Sequence, residues 1–407
     1  MLGFLTNTVT YVVPFLLVLT LVVTVHELGH FLAAKAFGVR IDRFSIGFGR
    51  ALLQRTDKAG VEWRVGWLPL GGYVKFSGDI DATGVPDKAG LDRLRQRIIA
   101  AEGAGAERAF FHFKPIWQRA AITVAGPLAN FLLAIVLFTI VFMAVGESVT
   151  VAPRIGQVTP GGPAATAGFR TGDLVERVDG RAVRDFGEVQ QYVMMRAGEP
   201  IRFELRRGAE TVTLTATPAA SMVRSDLDGS EVRIGRLGMT SSGLASDIVR
   251  TRYGPVSAVQ AAVRQTGHVL GTTVTYLRRI FSGRESGDQL SGPLGIARAS
   301  GLVAESAASG ANGVLQAAFR VTVSLLSLAG LLSVGVGFLN LLPVPVLDGG
   351  HLLFYGYEAV ARRPLAARVQ EVGYRVGLAL LVGLMLFATW NDLQKLSVFK
   401  FLGGLAS

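Results

Sequence analysis

Four stretches of this chain are apolar and long enough to cross a bilayer, and that property limits the fold before any motif is read. A spanning helix needs about 20 mostly apolar residues. The first stretch runs from the N-terminus through Val25 and on to about Phe37, and carries no charge before His26. The second, Ala120 to Gly146, has none at all. Neither does the third, Val321 to Leu347, which Pro343 and Pro345 interrupt near its end. The fourth, Val376 to Trp390, is short and needs Arg375 to reach back to the interface. Backbone groups in lipid find no water, so such stretches must be helical. The expected fold is a polytopic α-helical membrane protein with about four transmembrane helices. Composition agrees: 50% of residues are hydrophobic, 17% are charged, and the mean hydropathy is +0.42.

The formal charge of +11 does not point to nucleic acid, because the basic residues are scattered among spans and loops. They read as loop charges that set orientation on an anionic bilayer. Residues 38 to 119 include Arg40, Arg43, Arg50, Arg55, Lys58, Arg64, Lys75 and Arg119, and a later connection adds Arg362, Arg363 and Arg368. Those connections are expected to be cytoplasmic, with 147 to 320 on the other side. The first stretch lacks the basic start and small-residue cleavage site of a signal peptide, and reads as a retained span. Absence of Cys excludes disulfides and Cys-ligated metal.

The expected segments are 1–37, first span; 38–118, β-hairpin region and charged insertion; 119–146, second span; 147–218, an inserted α+β domain; 219–320, linker and amphipathic helix; 321–350, third span; 351–407, loop, fourth span and tail. In 44 to 77, alternation of Val61, Trp63, Val65 and Trp67 predicts a membrane-associated β-hairpin. The Gly-spaced, charged 85 to 108 reads as an exposed helix or loop. Strand signals at RIGQVT, DLVERV, PIRFELRR and TVTLTAT, with short helices at GPAATAG and FGEVQQYVMMRA, mark the inserted domain. From 219 to 253 the chain reads as a polar linker with one more hairpin. Residues 255 to 281 repeat apolar positions at helical spacing.

The chemistry centres on HELGH, residues 26 to 30. Positions i and i+4 share a helix face, so His26 and His30 can bind one metal, with Glu27 placed to take a proton from water. Chance would produce H-E-x-x-H in only about two of a thousand chains of this composition. Two His and a Glu at the end of an uncharged span are costly without a function. A catalytic zinc needs a third protein ligand. His112 is explained by surface packing, and His268 lies in the outward segment. Asp348 and His351 remain, both just past the third span. Asp348 is preferred, because the two prolines and two glycines of NLLPVPVLDGGH break a helix where only a cavity or buried site tolerates it. Asn340 is a candidate for bonding a substrate carbonyl or oxyanion, or for satisfying the broken backbone.

HELGH in a first span with NLLPVPVLDGGH in a later one resembles the site-2 protease family of intramembrane zinc metalloproteases. FGRALLQR, PLGGYVKFSGD, FKPIWQRAAITVAGPLANF and SGPLGIA resemble its bacterial branch, typified by the regulator of sigma-E protease. The resemblance implies one Zn2+ held by His26, His30 and Asp348, with Glu27 catalytic. It implies substrate binding near Asn340, Pro343 and Pro345, and a 44 to 77 hairpin that presents substrate as a strand. The substrates implied are single-span membrane proteins, an anti-sigma factor in envelope stress signalling or a signal-peptide remnant. GQVTPGGPAATAGFRTGDLVERVDG resembles a PDZ domain, in one copy, with a peptide groove against the 186 to 196 helix. The implied location is the bacterial inner membrane, with the active site towards the cytoplasm and the PDZ domain periplasmic. Two rivals stand beside this reading: a non-catalytic PDZ scaffold, and a zinc transporter, which would need polar residues along a path.

Overall fold

The computed structural model describes residues 2–78, 88–224, 231–283 and 291–395. The chain opens with α1 (Leu2–Ala36), whose last three turns carry HELGH. Two strands follow, β1 (Ile41–Thr56) and β2 (Glu62–Phe76), then α2 (Lys88–Glu102) and α3 (Ile116–Val145). β1 and β2 pair with repeated breaks in register. Phe44 is partnered by Val74 on one side and Trp63 on the other, so the 43–46 segment lies inside the sheet. The hairpin expected in 44 to 77 is thus made of two long strands whose pairing breaks register repeatedly. Their first half is buried with Val39, Ile41 and Phe44 against Phe31 and Ile122. The far end leaves Leu52, Leu53 and Trp67 exposed. Residues 79–87 lie outside the described residues. The rest of the charged insertion is not simply exposed, since α2 buries Leu94 and Ile98 against Phe110.

The next part forms a compact unit of its own, Phe142–Ser257. It contains β3 (Glu147–Val151), β4 (Ile155–Val158), α4 (Pro163–Thr166), β5 (Leu174–Val178), β6 (Arg181–Ala182) and α5 (Phe186–Met194). Then come β7 (Ile201–Arg207), β8 (Glu210–Ala216), β9 (Ala219–Arg224), β10 (Glu231–Arg236), β11 (Met239–Ser241) and β12 (Ile248–Arg252). A four-stranded sheet of order β6-β5-β7-β8 packs its Val175, Val178, Phe203 and Leu205 against Val189 and Val193 of α5. Asp185 caps α5 by accepting from the Glu188 N–H at 2.9 Å. The stretch expected to be a linker returns into this unit: β11 pairs with β4, β12 pairs with β3, and Leu237 enters the core.

After α6 (Pro255–Phe281) come α7 (Pro293–Ser309), α8 (Val314–Asn340), α9 (Asp348–Ala361) and α10 (Ala367–Lys395). Four described helices are long and apolar enough to span a membrane: α1 from Thr10, α3, α8, and α10 to Gln394. Leu128, Leu132, Val136 and Ile140 of α3 recur every fourth residue and are exposed, as a lipid-facing stripe requires. The opposite face uses small residues for close approach. A Cβ at Gly29 of α1 would overlap the Ala125 carbonyl of α3, and one at Gly330 of α8 would press on Phe138. Val18, Leu137 and Ala329 close the contact of α1, α3 and α8. The helix α7, unexpected because its Gly, Ala and Ser content gives no span signal, lays Gly301 on Tyr11 of α1. Its N-terminus meets Asp392 of α10, which accepts the Gly295 N–H at 2.8 Å.

Candidate metal centre

The helix α1 fixes two imidazoles on one face, one turn apart. Their rings stand nearly perpendicular, 85°, with centroids 4.8 Å apart, and their Nε2 atoms are 3.2 Å from each other. His30 Nδ1 lies 2.9 Å from the Ile122 carbonyl oxygen of α3. A carbonyl can only accept, so in the neutral ring Nδ1 carries the hydrogen and Nε2 presents a lone pair. The third group arrives from far along the chain. After Asn340 the backbone turns through Leu341–Leu347, and α9 starts at Asp348. Both following glycines are required by this turn. A side chain on Gly349 would strike the Leu341 and Leu342 carbonyls, and one on Gly350 the Val344 carbonyl.

Asp348 Oδ2 lies 3.2 Å from His26 Nε2 and 3.5 Å from His30 Nε2. This oxygen is closed off from solvent, with the two imidazole nitrogens facing it. Three electron-pair donors thus converge in one place, an arrangement that repels itself unless a cation sits among them. A tetrahedral ion with bonds of about 2.0–2.1 Å would space its ligand atoms roughly 3.3–3.4 Å apart. The donor set of two imidazoles and a carboxylate, with these spacings, fits zinc. Glu27, beside them, lies close to the Val74 backbone of β2. A Cβ on Gly72 of that strand would crowd the Glu27 side chain. The strand therefore passes directly beside Glu27.

All four residues line a cavity of about 1150 Å³. Asn340 lines it too, at the C-terminal end of α8, whereas Pro343 and Pro345 are not among its lining residues. Pro345 instead backs onto Gly373 and Gly377 of α10. His351 also faces the cavity, but its Nε2 is 3.1 Å from the Tyr374 hydroxyl and it stands outside the three-donor cluster. His112 lines the wall, and His268 lies on an exposed face of α6. The sequence reading missed Tyr374 and the Arg119–Glu358 ion pair at 2.7 Å, which ties the start of α3 to α9. The charge of Arg119 at the border of an uncharged span was the available signal for the latter; Tyr374 offered none.

The model of peptidase family M50 matches residues 14–384. The chain belongs to peptidase family M50. Metalloprotease MmpA of Caulobacter vibrioides is 47% identical over 405 residues, covering all of both chains. A protein of Agrobacterium fabrum named "putative zinc metalloprotease" is 42% identical over 394 residues, 97% of each chain. Another so named, from Mesorhizobium japonicum, is 45% identical over 384 residues, 94% of this chain and 98% of its own. This M50 protein is therefore a zinc metalloprotease of the site-2 protease type, and its four long apolar helices make it a multi-pass membrane protein.

Proposed function

We propose that the protein cleaves the membrane segments of single-span proteins, with His26, His30 and Asp348 holding one Zn2+ and Glu27 acting as general base and acid. The observation that carries this reading is the convergence of three lone-pair atoms 3.2–3.5 Å apart beside a carboxylate, within a helix apolar enough to span lipid. Bound zinc supplies Lewis acidity, which makes water a nucleophile near neutral pH and polarises a peptide carbonyl. Glu27 takes the proton of the attacking water on its carboxylate and returns it to the leaving amide nitrogen. Asn340, facing the same cavity, offers its carboxamide to the substrate backbone, the reading preferred over simple satisfaction of the helix end. Pro343 and Pro345 act through the turn that delivers Asp348. A substrate helix must unwind to be cut, since its backbone is otherwise fully bonded. β2, crossing beside Glu27, is suited to hold an unwound stretch by strand pairing.

The Lys and Arg content of 38–119 and 362–368 supports a cytoplasmic active site, with residues 147–320, and so the inserted unit, on the opposite side of a bacterial inner membrane. That unit is read as a PDZ domain, supported by its small sheet packed on α5, and as the element that binds or screens substrate ends. An anti-sigma factor controlling envelope stress remains the preferred substrate, with signal-peptide remnants second. The reading is tested with a single-span model substrate in proteoliposomes. Glu27→Gln should lower cleavage by about 10²–10⁴-fold while leaving zinc content unchanged. Undiminished cleavage by that variant would remove Glu27 from the reaction, whereas absence of cleavage by the wild-type protein would favour a scaffold role.

A further inference from the structure

Among the polar side chains of α3, Asn130 is fully buried, 0% exposed. As placed, its carboxamide Nδ2 lies 3.3 Å from His26 Nδ1, on the side of the ring away from Asp348. Its position is fixed from two directions. Ser333 of α8 donates to the Asn130 backbone carbonyl at 2.8 Å, and Gly337 of α8 lies against its Cβ. One turn earlier on α3, Gly126 touches both imidazoles so closely that any side chain there would overlap them. The same helix therefore addresses the rear of both rings, with the Ile122 carbonyl behind His30 and the Asn130 carboxamide behind His26.

The two contacts differ in what they dictate. The Ile122 oxygen forces a hydrogen onto His30 Nδ1. The Asn130 carboxamide can face His26 with either end. With Nδ2 towards the ring, His26 Nδ1 must accept, the hydrogen moves to Nε2, and Nε2 has no lone pair for a metal. That orientation also leaves Asn130 Oδ1 buried with no partner. With Oδ1 towards the ring, Nδ1–H donates and Nε2 is free. Resting on the ligand assignment above, we propose that Asn130 is a positioning residue: its carboxamide oxygen accepts from His26 Nδ1–H and holds that ring in the tautomer whose Nε2 lone pair faces zinc. Outer partners of ligating histidines raise ligand basicity and fix ring orientation in just this way.

The test is zinc affinity of the full-length protein in detergent, measured by competition with a chelator, and it does not depend on activity. Asn130→Leu keeps the approximate volume but has no acceptor, and should bind zinc about 10–100-fold more weakly. Asn130→Asp can only accept, and should stay close to wild type. Equal loss in both variants would mean that the amide N–H is what matters, and would overturn the proposal; so would wild-type affinity in Asn130→Leu. Asp348→Ala, measured beside them, separates the two levels. If it loses zinc while Asn130→Leu does not, only the role of Asn130 fails. If it binds as wild type, the ligand assignment fails and this inference with it. A readout without substitution covers a variant that does not fold. The ring ¹⁵N signals of His26 in the zinc-free wild-type protein should show hydrogen on Nδ1, and hydrogen on Nε2 would contradict the proposal.

Discussion

The metal centre of the helical unit and the core of the inserted 142–257 unit treat buried acids in opposite ways. In the inserted unit Asp173 is 1% exposed and is met by Arg207, which holds both carboxylate oxygens at 2.8 Å. Asp247 is met likewise by Arg154 at 3.1 Å. Each acid there has its cation supplied by the chain. Asp348 in the helical unit has for neighbours two imidazoles that themselves offer lone pairs. A set of charges that closes on itself stabilises a fold, whereas one left open marks where something else must bind. The contrast separates the acids that build this protein from those that work in it.

Perturbing the open set should give the largest effect. Gly126→Leu drives a side chain into both imidazoles, and zinc affinity should fall by at least 100-fold while the 142–257 unit keeps its unfolding temperature. Retention of zinc by that variant would mean that the rings are not held against α3. A closed pair should behave differently. Arg207→Met leaves Asp173 buried and unpaired, and should destabilise the inserted unit by about 1–3 kcal/mol, the partial exposure of Arg207 reducing the cost of a fully buried break. Zinc content should not change, and denaturant unfolding beside metal analysis checks both.

The smallest effect concerns pH. Burial alone would raise the Asp173 carboxyl, but hydrogen bonds from Arg207 and the Arg170 N–H outweigh it and hold the group below the ordinary carboxylate range. The unfolded chain therefore binds its proton first. The stability this group contributes is complete above the unfolded pKa of about 3.9 and is lost as pH falls through the lower folded value. Acid unfolding of the inserted unit should accordingly be shallower in Asp173→Asn, and an unchanged profile would assign the acid sensitivity to other groups.

The same contrast explains what could be read from sequence. The spans were legible because lipid imposes one requirement along a continuous stretch. The closeness of His26 and His30 was legible because they lie one helix turn apart, and that of Asp348 because its prolines and glycines announce a turn in an apolar run. What escaped depends on distant partners. The pairing of β11 with β4 joins residues on either side of an entire sheet, so 239–241 gave no local signal. The helix α7 is too small-residued to register as a span and is fixed by packing on α1 and α8. Asn130 was passed over because its span reads as uncharged, although a buried amide in such a span is itself costly and points to a bonding partner. The position of Tyr374 beside His351 follows from how α9 and α10 meet, which no periodicity encodes.

The central claim is that three residues from two distant parts of the chain form one zinc site. The most direct test is metal analysis of purified wild-type protein beside Asp348→Ala, after both are loaded with zinc and freed of excess. One zinc per chain in the wild type, with most of it lost in the variant, is the predicted result. One zinc per chain in both proteins would contradict the account, and would mean that the carboxylate 3.2 Å from His26 is not a ligand.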